Sequence, residues 1–265
     1  MRVMPMLRPR IVLAALAALT EVLACSSGAG EGTGVGSASG RVVGGTTTSA
    51  DPDVARITSG CTATLIHPRA MLTASHCCER AGRCRAVTIE GDKVGVEKVV
   101  LHPEFRQDAG ANGDGLTPSL DVAILWLARP VTTVAVRRLA STRAELGTAI
   151  RFIGYGCNTF DKSAPSGSGI KRTGSNTIDI VGTNGSGEDA ERFRDTFGWF
   201  SVPDEAGVYG ADDANICPGD SGGPTFWDEG GEEVLAGVHT LVGRTVGYST
   251  MVAPLRPWIE ANLPP

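Results

Sequence analysis

The sequence predicts an all-β protein, and three features of its 265 residues carry that prediction: 35 glycines, an aromatic content of only 5%, and short apolar segments recurring between turn signals. The segments run over 62–66, 86–89, 94–101, 122–127, 150–153, 234–239 and 247–252. Two stretches interrupt them. Residues 108–118 are rich in Gly, Asn and Asp, and 160–190 hold two polar Gly/Ser-rich loops around a short strand. The tail 254–263, PLRPWIEANL, suits a helix, with Pro257 near its first turn and Trp258, Ile259 and Leu263 on one apolar face. At 42% hydrophobic, the chain can bury a real core.

A net charge of −5 offers no basic face to nucleic-acid phosphates, which excludes that class of partner. Residues 1–24 have the layout of an export signal. Arg2, Arg8 and Arg10 precede an apolar run over 11–19 that is too short for an ordinary membrane-spanning helix. Val22-Leu23-Ala24-Cys25 resembles a bacterial lipobox, in which Cys25 is lipidated and becomes the mature N-terminus; plain secretion with cleavage nearby is the alternative. Residues 26–40 are almost entirely small and polar, so they form a flexible tether, and the folded body begins near Val42. Setting Cys25 aside leaves Cys61, Cys77, Cys78, Cys84, Cys157 and Cys217, an even number that fits disulfides in an oxidising compartment. The count alone leaves their pairing open.

Hydrolysis of an amide through a serine needs a base for the hydroxyl proton, an acid group to hold the base's tautomer, and donors for the developing oxyanion. Three segments supply those parts: Thr73-Ala74-Ser75-His76-Cys77, Asp121-Val122-Ala123-Ile124-Leu125, and Gly219-Asp220-Ser221-Gly222-Gly223-Pro224. They resemble the histidine box, aspartate strand and nucleophile loop of the chymotrypsin/trypsin-like serine proteases. The order His, Asp 45 residues later and Ser 100 further on is that family's and differs from those of subtilisins and α/β-hydrolases. A satisfied half-buried histidine is the ordinary reading of a lone His76, a turn residue that of Ser221, and a strand-start carboxylate that of Asp121. The flanking motifs argue past all three. Asp121 leads the apolar VAILWL, and a charge entering a core needs a partner, which His76 provides. His67, His102 and His239 read as structural, and no cluster has metal-ligand spacing, so neither metal nor cofactor is expected.

The resemblance implies two six-stranded antiparallel β-barrels with a C-terminal α-helix, divided as 42–140 and 141–265 within a peptidase domain 42–265. It implies a catalytic triad of His76, Asp121 and Ser221 and an oxyanion hole from the Gly219 and Ser221 N–H groups. Arg41-Val42-Val43-Gly44-Gly45 looks like the family's activation site, where cutting after Arg41 frees a Val42 ammonium that pairs with Asp220. Residues 25–41 are then a lipid-anchored tether and activation peptide. By the same resemblance Cys61 pairs with Cys77; the proximity expected in the fold leaves Cys78 with Cys84 and Cys157 with Cys217. The position lining the base of the primary pocket is Asn215, which lacks the fixed charge that attracts Lys or Arg in trypsin. Thr240, Val242, Gly243 and Gly247 form the opposite wall; an intruding Val242 favours small or medium apolar side chains, while Asn215 could accept a polar one. The implied protein is a monomeric, exported serine endopeptidase, in the cell envelope or outside the cell, made as a zymogen. Its partners are a peptide or protein substrate, an activating protease, and the membrane through a lipid anchor. A non-catalytic homologue that binds a partner, and an esterase with the same triad, are the alternatives.

Overall fold

The computed structural model describes residues 42–106, 119–143, 145–158, 167–182, 196–201, 213–242 and 246–265. Among them, six strands close into an antiparallel barrel in the order β2 (Val54–Ile57), β3 (Thr62–His67), β4 (Ala70–Thr73), β7 (Ala123–Leu127), β6 (Asp92–Leu101) and β5 (Ala86–Ile89). Pairing of β2 with both β3 and β5 makes the closure, which leaves no free edge. Ile57, Leu65, Leu72, Ile89, Ile124 and Leu125 are fully buried, and since Ile124 and Leu125 are neighbours on β7, that strand is covered on both its faces.

The second half is an eight-stranded antiparallel sheet with the order β1 (Thr46–Thr47), β9 (Arg172–Thr177), β8 (Ala149–Gly154), β12 (Pro224–Asp228), β13 (Glu233–Val242), β14 (Val246–Met251), β11 (Phe197–Ser201) and β10 (Ile180–Gly182). The all-β class holds, but this second sheet is not a closed six-stranded barrel among the described residues. Strand β1 pairs Thr46 with Thr173 and Thr47 with Arg172 at the edge of β9. Strands β9 and β11 nevertheless approach within 8 Å at Cα.

The chain ends in a 3₁₀ turn, Ala253–Leu255, running into α1, Arg256–Ala261, with Pro257 in its first turn as expected. Ile259 of α1 is fully buried. The ring of Trp258 lies 4.5 Å from that of His102, and Trp126 Nε1 of β7 donates to the Asn262 carbonyl at 2.9 Å, so the tail docks on the first barrel. Each predicted strand segment is present within one to three residues of its expected ends. Strands β1, β2, β4, β9, β11 and β12 have no counterpart among the expected segments. The loop expected at 108–118 lies outside the described residues, as do 160–166 and 183–190, while within 167–182 the structure places β9 where a polar loop was expected and β10 as a short strand.

An ion cluster ties the two halves together. Arg137, in the connection between them, donates to Asp53 at 2.8 Å and to Asp51 at 2.8 Å, both just ahead of β2. Arg151 of β8 reaches Asp51 at 2.9 Å and Glu233 of β13 at 2.7 Å. The Arg137 guanidinium also lies 4.3 Å from the Phe226 ring centre. Burial alone would raise the Asp51 carboxyl, but Arg151 and Arg137 outweigh it and hold its pKa below the ordinary value. Replacing Arg137 with Met takes from the buried Asp53 its ion partner, while Asp51 keeps Arg151. Urea unfolding of Arg137→Met should show a loss of about 3 kcal/mol.

Candidate functional site

Strand β4 ends at Thr73, and the chain then turns through a 3₁₀ segment, Ser75–Cys77, that presents His76. The buried Ser75 hydroxyl donates to the Val122 carbonyl at 2.6 Å, fastening this turn to the start of β7. Asp121 therefore meets His76 twice. Its Oδ1 accepts the His76 backbone N–H at 2.9 Å, and its Oδ2 lies 2.6 Å from His76 Nδ1. Burial disfavours the imidazolium, but the hydrogen bond and charge of Asp121 outweigh it and hold the His76 pKa above its ordinary value.

The loop carrying Ser221 is held to the first barrel through one residue. Thr62, which opens β3, donates its backbone N–H to the Ser221 carbonyl at 2.9 Å and its hydroxyl to the Gly219 carbonyl at 3.0 Å, and its hydroxyl also accepts the Tyr155 N–H at 3.2 Å. From the other side, β13 clamps the loop: Gly222 N–H donates to the His239 carbonyl at 2.7 Å, and His239 N–H to the Gly223 carbonyl at 2.9 Å. Gly222 has φ +78°, and a Cβ there would overlap the Thr73 hydroxyl, so only glycine fits. The result brings the distant segments together. Cys77 Sγ lies 3.7 Å from His76 Nε2 and 3.7 Å from the Ser221 carbonyl oxygen.

Asp220, next to Ser221, is 1% exposed. Its Oδ1 accepts the Gly156 N–H at 2.7 Å and its Oδ2 the Cys217 N–H at 2.8 Å. The carboxylate presses so closely on Gly156 that a Cβ there would come within 2.7 Å of it. Burial pushes the Asp220 carboxyl up to about 7, against these hydrogen bonds and the charge of Arg172. A carboxyl whose folded value exceeds its unfolded one stabilises the fold fully below the unfolded pKa, and that contribution fades as pH rises to about 7. The ionised form thus needs positive charge nearby.

Val42 is 1% exposed and packs with Ile150, Phe152, Ile178, Ala214 and Ile216. Its φ of +46° is unusual for a β-branched residue and costs about 1–2 kcal/mol. Val43 pairs antiparallel with Asn215, whose N–H donates to the Val43 carbonyl at 2.8 Å. Asn215 has no exposed surface, and Val242 packs against the cluster that holds Val42 and Ala214. Val242 faces Gly247 across the β13–β14 pair, and the Thr240 hydroxyl donates to the Tyr248 carbonyl at 3.4 Å. Arg41, Gly243 and Cys25 lie outside the described residues.

All six remaining cysteines pair: Cys61–Cys77 as the resemblance implied, and Cys78–Cys84 and Cys157–Cys217 as the proximity expected in the fold left them. Cys61, His76 and Cys77 offer donor atoms within 4.8 Å of one another, but both sulfurs are committed to a disulfide and neither is a thiolate that could bind a metal. His67 and His102 each accept a backbone N–H two residues on, at 3.1 and 3.2 Å, and buried His239 is pushed down to about 3. All three fit structural roles. Thr62, Ser75 and Arg172 were not singled out from the sequence. Thr62 reads there only as the first residue of an apolar segment, and nothing local marks its long-range bonds. Thr62→Val removes the hydroxyl from two of those bonds while keeping the side chain's size. It should cost about 1–3 kcal/mol in urea unfolding and speed amide exchange at Tyr155.

The family model for trypsin matches residues 42–259. The chain is 27% identical over 216 residues to trypsin zeta of Drosophila erecta, covering 76% of this chain and 73% of that protein. It is 28% identical over 218 residues to trypsin zeta of Drosophila melanogaster, covering 77% and 74%. Among solved structures it resembles neuropsin, a serine protease expressed in the limbic system of mouse brain. There the TM-score is 0.58 at 19% identity, over 80% of this chain and 94% of that one.

Proposed function

Because the chain belongs to the trypsin family by a match over residues 42–259, we propose that it is a serine endopeptidase acting through His76, Asp121 and Ser221. The observation that carries this reading is the His76–Asp121 pair at 2.6 Å beside Cys77 Sγ, which also touches the Ser221 backbone. Asp121 takes the Nδ1–H, which leaves the Nε2 lone pair facing out. Ser221 Oγ attacks the scissile carbonyl while Nε2 accepts its proton, and the Gly219 and Ser221 N–H groups receive the developing oxyanion. Collapse breaks the C–N bond, His76 returns the proton to the leaving amine, and water then cleaves the acyl-enzyme by the same steps. Ester hydrolysis shares these steps, and the family favours the peptide substrate.

On this reading Asn215 supplies no charge for a Lys or Arg side chain, and Val242, packed toward Ala214 and Ile216, narrows the pocket for small or medium apolar side chains. A substrate reaches Asn215 itself only after a neighbouring group moves. Cutting after Arg41 frees the Val42 ammonium to pair with Asp220, whose buried carboxylate needs a cation. With no negative charge in the pocket, a separate protease with a preference for Arg performs that cut. The three disulfides fit an exported protein.

Labelling with a fluorophosphonate probe across pH tests the triad. The cut enzyme should be labelled, and Ser221→Ala should not. Since a base must be neutral to act, the rate should fall as pH drops through the raised His76 pKa. Asp121→Asn should slow labelling by about 10⁴-fold. Equal labelling of Ser221→Ala would remove Ser221 as the nucleophile.

If Cys25 is lipidated, the cut after Arg41 also frees the enzyme from the membrane, because the other six cysteines bond among themselves and none holds 25–41 to the body. Fractionation should then find active enzyme with a Val42 N-terminus in the soluble fraction. Active enzyme with that terminus in the membrane, without a partner, would refute release.

A further inference from the structure

The carboxylate of Asp220 is already seated in a chain that is continuous through Val42. Both its oxygens are hydrogen-bonded, and the loop from Cys217 to Gly223 is closed by backbone bonds. In a continuous chain Val42 contributes an amide nitrogen and no ammonium. The positive charge that acts on Asp220 among the described residues is Arg172, the first residue of β9. Arg172 is 1% exposed and heads the largest fully buried side chains of the protein. Its Nη1 donates to the Gly156 carbonyl at 3.1 Å, the Gly167 carbonyl at 2.7 Å and the Ile170 carbonyl at 3.2 Å. Gly156 is also the residue whose N–H donates to Asp220 Oδ1 at 2.7 Å. One glycine therefore couples the guanidinium to the carboxylate, and no solvent screens the two.

We propose that Arg172 is a built-in positioning cation that holds Asp220, and with it the Ser221 loop, in the formed state before the chain is cut after Arg41. The uncut chain then carries a share of the activity, and the Val42 ammonium adds to a charge already present. Arg172 acts through Gly156 and Asp220 and does not touch the reacting atoms. This inference rests on the serine endopeptidase reading, and it concerns how that site is switched.

The test compares an uncleavable Arg41→Gln chain with the cut enzyme, each with Arg172 or with Arg172→Gln, by the rate of fluorophosphonate labelling. Arg41→Gln should label at a measurable rate. Adding Arg172→Gln should lower the uncut-to-cut rate ratio at least tenfold, and Arg172→Lys, which keeps the charge, should restore most of it. An unchanged ratio, or an equal loss in both forms, would overturn the proposal, since a residue that merely braces the 156–170 segment would affect both alike. Amide exchange at Asp220, Gly222 and Gly223 gives a second readout that needs no catalysis. In the Arg41→Gln chain these amides should be protected with Arg172 and exposed with Arg172→Gln; equal protection would count against it. A cut wild-type enzyme that takes no label would sink the endopeptidase reading instead, and amide exchange would still decide the role of Arg172.

Discussion

A single buried carboxylate organises the region around Ser221. Asp220 has almost no exposed surface, so every group that touches it must make up for lost water. Two backbone N–H groups do so directly, from Gly156 and Cys217. Those contacts explain local sequence that is otherwise opaque: Gly156 has no side chain because the carboxylate occupies that space, and Cys217 is braced by its bond to Cys157, next to Gly156. Burial works against the charge on Asp220, and these two hydrogen bonds and the positive charge of Arg172 work for it.

The two halves share one buried apolar cluster, which runs from Leu65, Leu72 and Ile124 to Ile153, Phe226, Leu235 and Val238, and polar contacts add direction to it. The first barrel reaches the Ser221 loop through Thr62 and supports His76 and Asp121 through Ser75. Elsewhere the Asp51, Asp53, Arg137, Arg151 and Glu233 cluster crosses between them. Charged and hydrogen-bonded links are directional, so they fix the relative placement of the halves more strictly than apolar packing would. A site shared between two bodies depends on that strictness.

Strands with an apolar face were legible in the sequence, because Ala86–Ile89 or Ala123–Leu127 alternate or run apolar over a strand's length. Strand β9 was not. Its sequence RTGSNT has no apolar residue, and the side it buries consists of Arg172, Gly174 and Asn176. Polar burial of that kind depends on partners far along the chain, which no local pattern encodes. Around the site, the motifs about His76, Asp121 and Ser221 could be read because short contiguous segments carry them. Thr62 could not, because its bonds reach Tyr155 and Gly219, 93 and 157 positions away, and Arg172 could not, because nothing local marks an arginine for burial.

The docking of α1 on the first barrel has a consequence for how the molecule is made. Trp126 and His102 acquire their partners Asn262 and Trp258 only when the final turn of the polypeptide is present. The first barrel therefore presents an incomplete surface until residues 256–262 fold back onto it, and those residues act as the latch that finishes the body.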